Sequence, residues 1–284
     1  MKQILNIIDQ LRGTSEESQG KKPLINLGFI SHSTALQIKH VPFYEPCLIL
    51  VLKGKKTISR GATSTVCEAG SLVAVPAPSS YDLRNEPDPR TGRYSALIIP
   101  FTVDTLERLR ASHNLFQDVN KGQSTVLKYE ADDELQKAIT HYLETINTPN
   151  ITLHRLMEIL LVLLNRTPSL LSFTLHRDSW EEKIRAVVSA DLMYSWTIDE
   201  VASKLATSES TLRRHLKKEN TSFREIVFEL RLATALMQLL QTDLPVNQIA
   251  YECGYKSASR FTSNFHKRFG LPPKEIRLSV NDSE

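Results

Sequence analysis

Between residues 24 and 100 apolar and polar positions alternate over short segments. These are LINLGFI (24–30), ALQIKH (35–40), PCLILVLKG (46–54), KTISRG (56–61), SLVAVP (71–76) and RYSALIIP (93–100). Gly61-Ala62, Ala69-Gly70, Pro76-Ala77-Pro78, Pro87-Asp88-Pro89 and Gly92 separate them. Strands at a spacing of about ten residues, punctuated by turn residues, predict a small barrel or sandwich. PCLILVL is apolar on both faces, as a central strand requires.

From about Asp104 the period shifts toward 3.6, predicting helices over 104–113, 131–147 and 151–165. An amphipathic helix over MKQILNIIDQLRG, interrupted by Asn6, Asp9 and Gln10, precedes the strands. In 151–165, Leu153, Leu156, Leu160 and Leu163 occupy a and d positions of two heptads, with Ile159 and Leu164 widening the stripe. Two readings stand side by side: a face packed on the β domain or on helix 131–147, or a dimerisation seam. Residues 166–178 contain Pro168 and no clear period, which predicts a connection between 1–165 and a second domain over 179–280. That second domain reads as helices only, about seven of them. Ser179 with Glu182, Thr197 with Glu200 and Ser222 with Glu225 have capping-box spacing, and Gly270 before Pro272-Pro273 is a stop.

One pattern occurs twice in the helical half. Ile198-x-x-Val201-Ala202-x-x-Leu205 leads through a turn to Ser208-x-x-x-Leu212-x-x-x-Leu216-Lys217-Lys218. Val246-x-x-Ile249-Ala250-x-x-Cys253-Gly254 leads to Ser257-x-x-x-Phe261-x-x-x-Phe265-His266-Lys267. The second turn is one residue longer, and Gly254 fits a left-handed backbone there. Each copy has the form of a helix-turn-helix: a small residue for close crossing, a tight turn, then a capped helix buried on one face. The open faces carry Ser210, Arg213, Arg214 and Lys217 in the first copy, and Ala258, Ser259, Arg260, Thr262, Ser263 and Lys267 in the second. Arg reads guanine through two hydrogen bonds, and Ser and Thr hydroxyls serve bases or phosphates. Phe223–Gln241 between the copies predicts one long helix of roughly 28 Å, close to the spacing of successive major grooves.

Charge sharpens this picture. From Lys204 to Arg277 thirteen basic residues stand against seven acidic ones, in a chain whose formal charge is only +3. The basic excess therefore sits with the repeat, which favours a polyanionic partner. The length of 284 residues allows two domains, and 41% hydrophobic with 24% charged residues excludes a disordered chain. No apolar run approaches a membrane span, and no signal segment is evident, so the chain is expected in the cytoplasm. Cys47, Cys67 and Cys253 form neither a disulfide framework nor a zinc motif. Cys253 aligns with Leu205 and reads as core. Cys47 and Cys67 are read either as a redox or electrophile pair or as a buried small residue and a surface thiol.

The stretch from Trp196 to Arg277 resembles the AraC/XylS family of bacterial transcription regulators. The resemblance rests on Trp196-Thr197-Ile198, Val201-Ala202, Leu205, Ser208, Ser210, Leu212-Arg213-Arg214, Leu216-Lys217-Lys218, Arg231-Leu232, Ala235, Leu239-Leu240, Ile249-Ala250, Cys253-Gly254-Tyr255, Phe261, Phe265, Phe269-Gly270, Pro272-Pro273 and Arg277. Three positions depart from the pattern: Asn220 replaces a usual Gly, and Ile226 and Ile276 replace aromatics. Asn is the next-best left-handed C-cap, so the helix end is expected to survive. The resemblance implies that helices 209–219 and 258–269 read adjacent major grooves of double-stranded DNA. Ser210, Arg213, Arg214, Ala258, Ser259, Arg260 and Ser263 are then base-reading candidates. Ser208, Lys217, Lys218, Ser257, Thr262, Lys267 and Arg268 are phosphate candidates.

The first half resembles the family's cupin-type sensor, through Tyr44-Glu45-Pro46, Leu52-Lys53-Gly54 and Ala69-Gly70-Ser71-Leu72. This implies an all-β cupin-like barrel with following helices, a small-molecule effector and a homodimer; RNA polymerase is a further candidate partner. Tyr44, Tyr81 and Arg84 are candidates for the effector pocket, against ordinary strand-edge or loop positions. His32 and His40 make no His-x-His motif, so no metal or other cofactor and no enzymatic activity are expected. The alternatives are a constitutive DNA binder whose β domain dimerises or docks a protein, and a cupin enzyme with a DNA-binding tail.

Overall fold

Nine strands form among the described residues of the first half: β1 (Gly28–His32), β2 (Leu36–Phe43), β3 (Cys47–Lys53), β4 (Lys55–Arg60), β5 (Thr63–Glu68), β6 (Ser71–Val75), β7 (Ser79–Glu86), β8 (Tyr94–Pro100) and β9 (Leu127–Glu130). The computed structural model describes residues 1–16, 27–113, 125–174 and 179–281. It divides into two units, one drawn from Met1–Gln37 and Pro42–His176 and the other centred on Arg177–Asp282. Of the expected segment 24–30, residues 24–26 lie outside the described ones, as do 175–178 of the expected connection.

The strands make two sheets, ordered β1-β8-β3-β6-β9 and β2-β7-β4-β5. β3 sits in the middle of the first, antiparallel to β6 and β8, and its residues Cys47–Leu52 are all buried. Alternation along the strand explains this double burial. Leu48, Leu50 and Leu52 enter the core shared with the helices, leaving Cys47, Ile49 and Val51 for the opposite face. Three strands escaped the sequence pattern. β5 (TSTVCE) buries only Cys67, and β7 buries Tyr81, Leu83 and Asn85 in alternation, so a polar inward residue hid its period. β9 is four residues long and pairs with β6 across more than fifty residues of chain.

Helices α1 (Lys2–Glu16), α2 (Val103–Ser112), α3 (Asp133–Glu144) and α4 (Pro149–Arg166) cover the outer face of the five-stranded sheet through one apolar core. Leu156, Leu160 and Leu163 of α4 lie in that core, and α4 packs on α3. The leucine stripe is thus the inner face of its own unit and not an open dimer seam; Leu153 alone of the four stays 38% exposed. The stretch 166–178 also behaves differently from a plain connection. Pro168–Thr174 is a 3-10 helix whose Leu170, Leu171 and Phe173 are buried in the same core. Its irregular period follows from three residues per turn.

The second unit contains seven helices among the described residues: α5 (Trp180–Val188), α6 (Ile198–Lys204), α7 (Glu209–Lys218), α8 (Phe223–Gln241), α9 (Val246–Glu252), α10 (Ala258–Phe269) and α11 (Pro273–Asn281). α8 is the long linking helix, and α5, α9 and α11 pack on it. Ile226 and Ile276, which stand where the family has aromatics, are both buried. No described helix is long and apolar enough to cross a membrane.

Candidate nucleic-acid interface

The repeat read from the sequence is built with the same hydrogen bonds twice. In the first turn the Leu205 amide donates to Val201 O and the Thr207 amide to Ala202 O; in the second, Cys253 donates to Ile249 O and Tyr255 to Ala250 O. Ala206 and Gly254 occupy equivalent places, both left-handed, at φ 52° and 79°. The additional residue of the second turn is exposed Lys256, just before the N-cap. Ser208 and Ser257 cap the two following helices by accepting from the Thr211 and Arg260 amides. Ser179, Thr197 and Ser222 also cap their helices, and at Thr197 the backbone amide donates in return to the Glu200 carboxylate, closing the box. Tyr194 and the Thr197 backbone amide hold the Glu200 carboxyl below the usual carboxylate range.

Each following helix is anchored on one side and open on the other. Leu212 and Leu216 bury α7, while Phe261, Phe265 and Phe269 bury α10. The three phenylalanines follow one another along α10 with centroids 5.5 and 4.8 Å apart, the first pair tilted and the second edge-on, contacts that fix the helix about its axis. On the open faces, Ser208, Ser210, Arg213, Arg214, Lys217 and Lys218 of the first copy are exposed. So are Ser257, Ala258, Ser259, Arg260, Thr262, Ser263 and Lys267 of the second.

Arg268 departs from this pattern. Its Nε donates to both carboxylate oxygens of Glu229 at 2.6 and 2.9 Å, and its side chain is 19% exposed. It clamps α10 to α8 and does not stand on the open face with Lys267. The partners are 39 positions apart, so helical periodicity gave no sign of the pair. A second feature missed in sequence is Glu209, whose carboxylate takes the Arg213 guanidinium at 2.6 Å one turn away. The open face of α7 thus carries an acid beside its arginine.

Further contacts tie these helices down. Glu219, just past α7, accepts the Trp180 and Glu181 amides at 2.9 and 3.0 Å, and the Trp180 ring stacks on His215 of α7 at 4.7 Å. Asn220 follows with φ 57°, the left-handed cap expected of it. Arg231 donates to Leu192 O and Tyr194 O, and Arg277 donates to Thr242 O and Leu244 O between α8 and α9. Trp196 marks a helix start, its indole N–H donating to Asp191 O. Cys253 is core, as its alignment with Leu205 indicated.

Of the expected pocket residues in the β unit, the structure sets Arg84 apart from Tyr81. Tyr81 is buried against Phe43, with the Arg60 guanidinium 5.1 Å from its ring, whereas Arg84 lies on the opposite face of β7, exposed and paired with Glu86. Tyr44 is half-buried in the turn between β2 and β3. Cys67, read in one alternative as a surface thiol, is buried, as is Cys47. Burial pushes both thiols up, Cys47 to about 12, which disfavours the thiolate that a sensor uses. No group of three or more potential metal ligands occurs among the described residues.

Comparison with known proteins agrees with both halves. Residues 201–279 match a helix-turn-helix domain family, and residues 46–173 match the ExsA N-terminal regulatory domain. The chain is 36% identical over 97 residues to the HTH-type transcriptional activator CfaD of Escherichia coli, covering 34% of this chain and 37% of that one. It is 38% identical over 97 residues to the porin thermoregulatory protein EnvY of Escherichia coli strain K12, covering 34% and 38%. The match therefore spans little more than a third of these relatives' length. Unsaturated fatty acid-bound wild-type ToxT of Vibrio cholerae superposes with a TM-score of 0.65 at 15% identity, over 93% of this chain and 99% of that one. A second ToxT crystal structure gives 0.64 at 15% identity, over 90% and 98%. A match to a regulatory β domain followed by one to a helix-turn-helix domain, with relatives that are themselves transcription regulators, agrees with the resemblance of this chain to the AraC/XylS family.

Proposed function

We propose that the protein is a sequence-specific DNA-binding transcription regulator whose β unit senses a small-molecule effector. The observation that carries this reading is the pair of capped helices α7 and α10, each anchored by an apolar face and exposing Ser, Arg and Lys on the other. Arg213, Arg214 and Arg260, with Ser210, Ala258, Ser259 and Ser263 beside them, take the base edges. Lys217, Lys218, Lys267 and Thr262 take phosphates, and Ser208 and Ser257 aim helix N-termini at the backbone. That ToxT, which shares this fold, is found bound to an unsaturated fatty acid supports a ligand-binding role for this protein. The reading includes a homodimer whose contacts lie outside the buried leucines of α4, an encounter with RNA polymerase, no catalysis and a place in the cytoplasm.

Selection of fragmented genomic DNA by the purified protein, followed by sequencing, tests it. Enrichment of sites with two short motifs about one helical turn apart is expected. Uniform recovery of all fragments, with and without cell-extract small molecules, contradicts it.

Two substitutions separate reading from clamping. Lys267→Ala is expected to weaken binding to all sequences alike and to reduce the salt slope by about 1, with Tm unchanged. Arg268→Ala is expected to lower the Tm, because it leaves the Glu229 carboxylate without its partner. Equal Tm values for the two variants contradict that division. Glu209→Gln is expected to tighten binding roughly twofold, since a surface pair of this kind is weak and an acid facing phosphates is repelled. Titration of labelled duplex at fixed salt measures it.

A further inference from the structure

The two sheets of the β unit enclose a polar cluster that the DNA-binding reading leaves unused. Lys56 of β4 is 2% exposed, its ammonium donating to Asn85 Oδ1 at 2.7 Å and lying 5.6 Å from the ring centroid of Tyr94. Tyr94 and His32 stand opposite each other on β8 and β1, and their rings stack at 4.7 Å. Both are fully buried; the Tyr94 hydroxyl and His32 Nε2 have no hydrogen-bond partner. Cys67 is beside Lys56 in register on β5, and Cys47 faces it from β3.

No carboxylate pairs with Lys56 among the described residues. An ammonium buried without a counter-charge is costly, so such groups are normally paired. Burial brings its pKa down only to about 8, so at neutral pH most of the population still carries the charge. The thiols do not supply the missing anion, since Cys47 is pushed up to about 12 by the same burial. His32 is neutral, its pKa lowered to about 4 chiefly by burial. Its Nδ1 donates to Thr34 O at 2.7 Å, which leaves Nε2 as a bare acceptor. The interior therefore offers a charged donor with unused N–H groups, a hydroxyl and an unfilled acceptor.

We infer that this interior is the effector site and that it takes a small carboxylate, its anionic head against Lys56 and Tyr94, with a ligand hydroxyl satisfying His32 Nε2. The inference rests on the sensor reading of the β unit and names the ligand class and the residue that selects it. The effector then provides the counter-charge that the described residues lack.

The test uses the full chain, with lactate and mandelate as hydroxycarboxylates, propionate and phenylacetate as their deoxy counterparts, and lactamide as a neutral control. Tm and affinity for a selected operator are both read. At a few times its Kd a hydroxycarboxylate is expected to raise the Tm by about 2–4 °C, with a smaller rise for the deoxy acid and none for the amide. Lys56→Met is expected to raise the unliganded Tm, by removing the unpaired charge, and to abolish the ligand response. Lys55→Met, one position away, is expected to retain that response. Tyr94→Phe keeps the ring and deletes only the hydroxyl, so it should weaken binding roughly 2- to 10-fold, even if Lys56→Met fails to fold. No Tm response to any acid, or an equal response in Lys56→Met, overturns the site and leaves the DNA-binding reading standing. A Lys56-dependent Tm response without a change in operator affinity upholds the site and overturns its role as a regulatory input.

Discussion

Gly254→Ala is expected to destabilise the helical unit by about 2–4 kcal/mol, combining the left-handed penalty for a residue with a Cβ and the cost of an overpacked contact. Gly254 has φ 79°, and a Cβ there meets Leu192 O at 2.3 Å and the Arg231 guanidinium at 2.6 Å. Neither neighbour gives way freely, because Arg231 is held by Leu192 O itself and by Tyr194 O. The equivalent position of the first copy supplies the opposite experiment. Ala206 already occupies the left-handed region at φ 52°, so Ala206→Gly is expected to stabilise by up to about 1 kcal/mol. Urea unfolding of the full chain, followed by helical circular dichroism, measures both. A neutral Gly254→Ala would mean that the second turn does not have this geometry in solution.

Arg260→Ala is expected to cost about 1–3 kcal/mol of specific binding and to relax the preference at one base position. Arg260 is exposed on α10, while the adjacent Phe261 is buried in the aromatic row that fixes the helix. Its removal therefore leaves the helix in place, and the loss is one of recognition, not of folding. Competition binding against a library of single-base variants measures it. Equal loss on specific and random DNA would reassign Arg260 to the phosphate backbone.

Much of the helical unit was legible because its signals are local. The caps at Ser208 and Ser257 and the four-residue spacing of Phe261, Phe265 and Phe269 each lie within a few residues of what they organise. The repeat also located the left-handed turn at Gly254, and Asn220 behaves as its residue type predicted. What escaped was assembled over distance. The Arg268–Glu229 clamp joins two helices, and Lys56, Asn85, His32 and Tyr94 come from four strands with no common spacing. A buried lysine looks like any other lysine in a sequence, and Lys56 stands in a run with Lys53 and Lys55. The leucines of α4 show the reverse difficulty: heptad spacing is shared by a dimer seam and by a helix laid on its own core, and burial decides between them.

The contact of Glu219 and His215 with the start of α5 has a mechanical meaning. The chain enters the helical unit at Ser179, and the next two residues are bound through the end of α7. A pull or twist on the incoming chain is thus delivered to the tail of α7 across two side chains, without passing through the interior. Its counterpart α10 has its own tail tied to α8 by Arg268. The two matched helices are moored differently: one to the approach of the chain, the other to the beam that joins them.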